Sequence, residues 1–330
     1  MNSRPNRRAL IVGLALSALI IGVLVYRIEW TEFAAALRDL RWPWAAGASL
    51  VFALAMTLRA ARWNRIAGAA WSQAGGYWCA SVVGYVANAI YPGRAGELLR
   101  AAALHHLLAV PPGNALASAL LDRLADVVVL GAVTLALLFG AASITFESAG
   151  LQRTTIVLTV APVLGFLLFA RSGGRLLPWI ARAARLLPPR WAERIPRWYL
   201  QGVESARQFG NVRAMTAGLL ITFAAYALEY FGFWLVIVAF GWALPFHAAV
   251  LAAVLVAFGA LLPAGPGYLG VFQLACVLAL AAYGVGESPA LAYSIVVQVA
   301  LLAAIALLGV IAGSVYGSVL RMGRDRGVGP

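Results

Sequence analysis

The stretch NAIYPGRAGELLRA, residues 88 to 101, sets Arg94, Glu97 and Arg100 at three-residue intervals inside a strongly apolar chain. Residues three apart share a helix face, and an ionised side chain in hydrocarbon costs several kcal/mol unless it is paired or functional. Guanidinium forks match phosphate oxygens. A helix starting near Gly96 would add its N-terminal amides to the same attraction. Arg94 and Arg100, with Arg59 and Arg62 from the preceding segment, are therefore candidate contacts to an anionic group. Glu97 would orient one of these arginines or take up a proton or cation. The plainer alternative is that Arg94 and Glu97 neutralise each other across one turn. Asn88 is expected to satisfy broken backbone at the tip.

Asp122, Arg123 and Asp126 form a second constellation, in which the carboxylates stand four apart on one face. Such a pair can hold a divalent metal or share a proton. We favour pairing with the first-hairpin arginines or with Arg59 and Arg62, and expect no metal or other cofactor. A third group is uncharged: Pro263, Gly265, Pro266, Gly267 and Gly270, with Gln273 one turn on. Its small residues allow close approach of backbone to a ligand or to another element. Glu229 stands near the centre of the apolar run Met215 to Phe240, as a coupling carboxylate or a hydrogen-bonded packing residue. His105 and His106 read as interfacial, Gln298 as hydrogen-bonding, and Trp42, Trp44 and Trp242 as interfacial anchors. Cys79 and Cys276 lie in apolar runs without neighbouring ligands and read as buried structural thiols.

The elements that must hold these residues follow from composition. Of 330 residues 63% are hydrophobic and 11% charged, too little polar surface for a water-soluble globule of this size. The expected fold is an all-α, polytopic membrane helical bundle, and apolar runs from end to end leave one transmembrane domain over 1–330. The net charge of +13 comes from arginines between apolar runs, the pattern of topology signals rather than of a nucleic-acid surface.

Those arginines set an expected orientation. Arg4, Arg7 and Arg8 precede an uncleaved first span, Ala9 to Tyr26, with a cytoplasmic N-terminus. Glu29 to Arg41, with Phe33, Leu37 and Leu40, fits a helix at the outer interface. Span two, about Trp44 to Leu58, ends in Arg59, Arg62 and Arg65. Spans at Leu120 to Gly140 and Thr155 to Ala170 flank a loop with Glu147 and return to a cytoplasmic, basic amphipathic segment over about 171–213, which carries Arg171, Arg175, Arg182, Arg185, Arg190, Arg194 and Arg197. Met215 to Phe240 then runs outward, and Leu301 to Val319 inward to Arg321, Arg324 and Arg326, so the C-terminus is cytoplasmic too.

Between these fixed points two segments must enter and leave on one side. Residues 77–108 form a hairpin with its tip at Pro92 and Gly93; residues 248–282 form another with its tip at LPAGPGYLG, entering from the opposite face. Proline removes a backbone donor and glycine permits unusual dihedrals, so helices stop at both tips. Broken helices from opposite faces are the inverted-repeat-like signature of transporters with a site near the bilayer midplane. Non-helical backbone at that depth must be buried or line a wet cavity.

The order RAARW at 59–63, N-x-x-x-P-x-R-x-G-E at 88–97 with Arg100, D-R-x-x-D at 122–126 and P-x-x-P-G-x-x-G at 263–270 resembles the transmembrane region of lysylphosphatidylglycerol synthetases, a flippase-like family, over almost the whole chain. The resemblance implies a bacterial inner-membrane protein that moves a lipid between leaflets: an aminoacylated phosphatidylglycerol in the bifunctional synthetases, hopanoid or polyprenyl-linked lipids for some stand-alone relatives. No aminoacyl-transferase domain follows within these residues, so transport is expected rather than lysyl transfer. Gln273 stands where the family often carries Glu. The expected partner is thus an anionic membrane lipid. The competing readings are an intramembrane enzyme acting on lipid phosphates through His105 or Asp122 and Asp126, and a scaffold subunit whose tip charges are dispensable.

Overall fold

The computed structural model describes residues 7–91, 95–140, 164, 175–186, 188–208, 212–261 and 265–325. Arg94, Pro263, the Glu147 loop and, apart from Leu164, the expected span Thr155 to Ala170 lie outside the described residues. The described residues form twelve α-helices and no strand, so the chain is all-α. In order these are α1 (Arg7–Arg27), α2 (Trp30–Arg38), α3 (Trp42–Ile66), α4 (Ala74–Ile90), α5 (Gly96–Leu108), α6 (Pro112–Gly140), α7 (Leu177–Ala184), α8 (Pro189–Gln208), α9 (Val212–Ala239), α10 (Phe246–Gly259), α11 (Val271–Ala281) and α12 (Glu287–Asp325). Short 3-10 turns, Trp71–Gln73 and Pro266–Tyr268, precede α4 and α11.

Among the described residues, three helical stretches are long and apolar enough to cross a bilayer: Trp42–Ile66, Thr216–Ala239 and Glu287–Val315. Two of them depart from the expected bounds. The segment α3 does not stop at Leu58 but carries Arg59, Arg62 and Arg65 within its last turns. The reason is electrostatic: Arg62 is met by carboxylates inside the protein, so the helix need not end where its charge begins. Likewise α12 begins at Glu287, well before Leu301, with an acid in its first turn and Pro289 beside it. Both favour a helix N-terminus.

The helices α4 and α5 flank the first proline–glycine break, and α10 and α11 flank the second. The arms α4 and α5 have 17 and 13 residues, about 25 and 20 Å at 1.5 Å per residue. The arms α10 and α11 have 14 and 11, about 21 and 16 Å. A hydrocarbon core of about 30 Å exceeds every one of them. These arms are therefore too short to cross a bilayer upright.

The chain forms two compact units. The first comprises Met1–Ala55, Ser81–Gly96 and Leu228–Pro330. Its core is aromatic: Phe52 meets Phe233 edge-on at 5.8 Å, Phe233 stacks with Phe272 at 6.3 Å, and the Tyr293 hydroxyl donates to the Phe233 carbonyl at 2.9 Å. Such edge and offset contacts add about 0.5–1.5 kcal/mol to plain burial. Around this core α11 packs between α10 and α12, and α2 lies against α12.

The second unit comprises Met56–Ala80 and Glu97–Ala227. Trp63, Tyr77, Ala80, Ala101, Leu104, Ala115 and Ala119 make its core. The alanines let α5 and α6 come close to the large Trp63 ring, which is fully buried and donates through Nε1 to the Ser118 hydroxyl at 3.1 Å. Elsewhere in this unit α8 packs on α6 and α7 on α8.

Candidate functional site

In the second unit the charged residues of α3, α5 and α6 close a ring. Arg62 on α3 donates from Nε to Asp122 Oδ1 at 2.7 Å and from Nη1 to Asp126 Oδ1 at 2.5 Å. The other oxygen of Asp122 accepts from Arg100 Nη1 at 2.9 Å. Arg100 Nε lies 2.8 Å from Glu97 Oε2, while Glu97 Oε1 lies 2.7 Å from Arg123 Nη2. Arg123 Nη1 closes the circuit on Asp126 Oδ2 at 2.8 Å. Arg62, Arg100 and Arg123 thus alternate with Asp122, Glu97 and Asp126, each carboxylate bridging two arginines, and the formal charges cancel.

The local sequence sets this up. Asp122 and Asp126 share a face of α6 because they are four apart, and Glu97 and Arg100 share a face of α5 because they are three apart. Packing supplies the remainder: Arg62 also donates to the Thr222 hydroxyl at 3.2 Å. Arg100 donates to the Ala119 carbonyl at 3.0 Å and stacks over the Trp63 ring at 4.6 Å. Thr222 and the Ala119 carbonyl lie outside the four motifs, so nothing in the sequence marks them as members of the network, whereas Trp63 closes RAARW.

Exposure is graded around the ring. The Arg62, Asp122 and Arg100 side chains are 0%, 2% and 4% exposed, whereas Glu97 and Arg123 are 30% and 38% exposed. This changes the reading of two arginines. Arg62 and Arg100, candidate contacts to an anionic group, are enclosed and committed to carboxylates, in the pairing favoured for Asp122 and Asp126, because a buried guanidinium is tolerable only when paired. Arg59 is half-buried with its guanidinium 4.7 Å from the Tyr226 ring centre. Glu229 is half-buried on α9. His105 and His106 are exposed near the end of α5, with His105 Nδ1 2.8 Å from the Val110 carbonyl. Among the described residues no group of three or more His, Cys, Asp or Glu is arranged to hold a metal ion.

In the first unit the two tips can be followed to their last described residues. Asn88, near the end of α4, accepts through Oδ1 from the Gly96 N–H at 2.9 Å, so the side chain before the break caps the helix after it. A Cβ on Gly96 would run into the Gly84 carbonyl oxygen and lie 2.5 Å from Asn88 Oδ1. Only glycine allows α5 to start this close to α4.

At the second tip a relay of amides pins the turn. The Gly270 N–H donates to Gln273 Oε1 at 2.7 Å, Gln273 Nε2 donates to Gln298 Oε1, and Gln298 Nε2 donates to the Gly267 carbonyl at 2.8 Å. Gln273 is thus both acceptor and donor, and a carboxylate in its place would lack the donor half. The Gly265 N–H donates to the Ser17 hydroxyl of α1 at 2.8 Å. Gly270 has φ +85°, and a Cβ there would stand 3.0 Å from the Ser17 carbonyl oxygen. Tyr268, at φ 58°, holds the left-handed region without glycine's freedom, a strained state that surrounding structure must enforce. Gln298→Ala should release this turn. It strands the Gly267 carbonyl and the Gln273 amide, and we expect a loss of about 1–3 kcal/mol in unfolding followed by titration with SDS.

The end of α4 also comes close to the turn before α11. A Cβ on Gly267 would lie 3.7 Å from the Ala89 carbonyl oxygen and 3.8 Å from Gln298 Nε2, so the last turn of α4 borders the 265–270 turn within one unit.

Long apolar helices, short helix pairs broken at proline and glycine, and charges neutralised inside the protein define a helical integral membrane protein. Within that class the chain belongs to the family described as lysylphosphatidylglycerol synthase TM region, whose model matches residues 10–309. No curated protein and no solved structure matches it.

Proposed function

We propose that this protein moves an anionic lipid, phosphate-bearing or polyprenyl-linked, between the leaflets of a bacterial inner membrane, with both termini cytoplasmic. The observation that carries this reading is the approach of Gly267 to Ala89, where two broken helix pairs meet. Backbone of that kind at membrane depth belongs beside a polar path, and membership of a membrane-domain family named for a lipid synthase favours a lipid as cargo.

In this mechanism Arg94, which chain order puts between Tyr91 and Ala95, meets the headgroup. Asn88 and Gly96 shape the first tip; Pro263, Gly265, Gly267, Gly270 and Gln273 shape the second. The ring of Arg62, Arg100, Arg123, Glu97, Asp122 and Asp126 braces α5, the helix that leaves the first tip. Glu229 is a candidate for coupling. Acyl chains stay in the bilayer throughout.

The test is movement of fluorescent phosphatidylglycerol and polyprenyl-phosphate analogues in liposomes holding the purified protein. Arg94→Ala removes a charge-assisted contact of about 1.5–3 kcal/mol, so transport should slow roughly tenfold to a hundredfold while the folded yield is unchanged. Wild-type rates in that variant would overturn the assignment. A metal-dependent chemical product from the same lipids would replace transport with catalysis.

A further inference from the structure

The helices α7 and α8 contain surface chemistry that the transport reading does not use. At eight residues, α7 reaches about 12 Å along its axis, far too short to span a bilayer. Yet Leu176, Trp179 and Leu186 are 46%, 67% and 88% exposed. Spacings of three and seven align these three side chains as one stripe. Arg175, Arg182 and Arg185 are exposed too, and the Arg182 guanidinium stands beside the stripe, 5.4 Å from the Trp179 ring centre. The opposite side is anchored, since Ala184 is buried and α7 packs on α8.

A bare apolar stripe flanked by arginines is unfavourable in water and equally unfavourable deep in hydrocarbon. It is satisfied at the level of lipid headgroups, where tryptophan is at home and arginine stems lie along acyl chains with their charge at phosphate depth. We propose that residues 175–186, with α7 at their centre, are an interfacial docking surface for anionic phospholipid, Leu176, Trp179 and Leu186 immersed at the acyl boundary and Arg175, Arg182 and Arg185 on headgroup phosphates.

The docked helix is coupled to α6. The Gly113 N–H, at the start of α6, donates to Gln201 Oε1 of α8 at 3.2 Å, and a Cβ on Gly113 would lie 2.6 Å from the Trp198 carbonyl oxygen. Through α8 the lipid-bound surface fixes the helix that carries Asp122, Arg123 and Asp126. The anionic lipid content of the leaflet therefore bears on the charge ring.

The experiment uses the full chain, one copy per lipid nanodisc, in phosphatidylcholine alone and mixed with phosphatidylglycerol. A nitroxide is placed at Leu186→Cys with Cys79→Ala, while Cys276, fully buried, stays. Accessibility to oxygen against a water-soluble nickel complex reads immersion. In the phosphatidylglycerol mixture the label should be oxygen-accessible. Replacing Arg175, Arg182 and Arg185 by Gln should lower the immersed fraction relative to the free one roughly a hundredfold, at about fivefold per arginine near an anionic surface. High salt should weaken immersion of the unsubstituted protein in the same direction, a reading independent of how well the triple variant folds. Immersion that ignores lipid charge and salt, or a water-exposed label in every disc, overturns the proposal. Dipolar coupling between labels in discs loaded with two copies would hand the stripe to a second molecule and overturn it as well.

Discussion

Asp122→Ala lowers stability by about 3–5 kcal/mol, the typical cost of removing one partner from a buried ion pair. Asp122 is bonded on one oxygen to Arg62 and on the other to Arg100, and all three side chains are at most 4% exposed. Its removal leaves two guanidinium groups short of a counter-charge where water cannot reach them. The grading of exposure sharpens the expectation. Glu97→Gln should cost less than Asp122→Ala, because solvent screens the Glu97–Arg123 pair at 30% and 38% exposure and the buried Arg100 keeps Asp122 as its counter-charge. Arg62→Lys should behave more like the alanine variant than like a conservative change, since an ammonium cannot span both Asp122 and Asp126 as the guanidinium fork does. Unfolding titrations with SDS on the three variants measure the gradient. Equal and small losses would mean that the ring is not what binds α3, α5 and α6 together.

Gly96→Val opens the first hairpin. The added side chain would occupy the position of the Gly84 carbonyl and of the Asn88 amide, which are a backbone atom and a group already committed to the Gly96 N–H. Neither can retreat cheaply, and forced overpacking costs about 1–3 kcal/mol or more. The start of α5 must then move off α4, taking with it Glu97 and Arg100. We expect transport to fall to background and a loss near 3 kcal/mol, larger than for Asn88→Ala, where only the cap is lost at about 1 kcal/mol. Cysteine crosslinking across the two arms would report the separation directly. Unaltered crosslinking together with unaltered transport would show that the close approach at Gly84 is dispensable.

The sequence by itself determined the solvent and the breaks. Apolar composition requires lipid around most of the chain, and the proline and glycine clusters at 92–96 and 263–270 stop helices wherever the chain folds. It also limited local geometry, because residues three or four apart share a face of any helix: Asp122 with Asp126, Glu97 with Arg100. The resemblance carried by the four motifs agrees with the family match over 10–309. Only the tertiary structure decided which charge meets which. Arginine is available for a phosphate or for a carboxylate alike, and residues 62, 97–100 and 122–126 are joined by packing on Trp63 of alanines that come from three different helices, α4, α5 and α6. The same holds for the ends of α3 and α12: a helix continues through arginine when partners neutralise it, and those partners lie on other helices. Short-range rules see one helix at a time, whereas the closing of a ring of charges is a property of three.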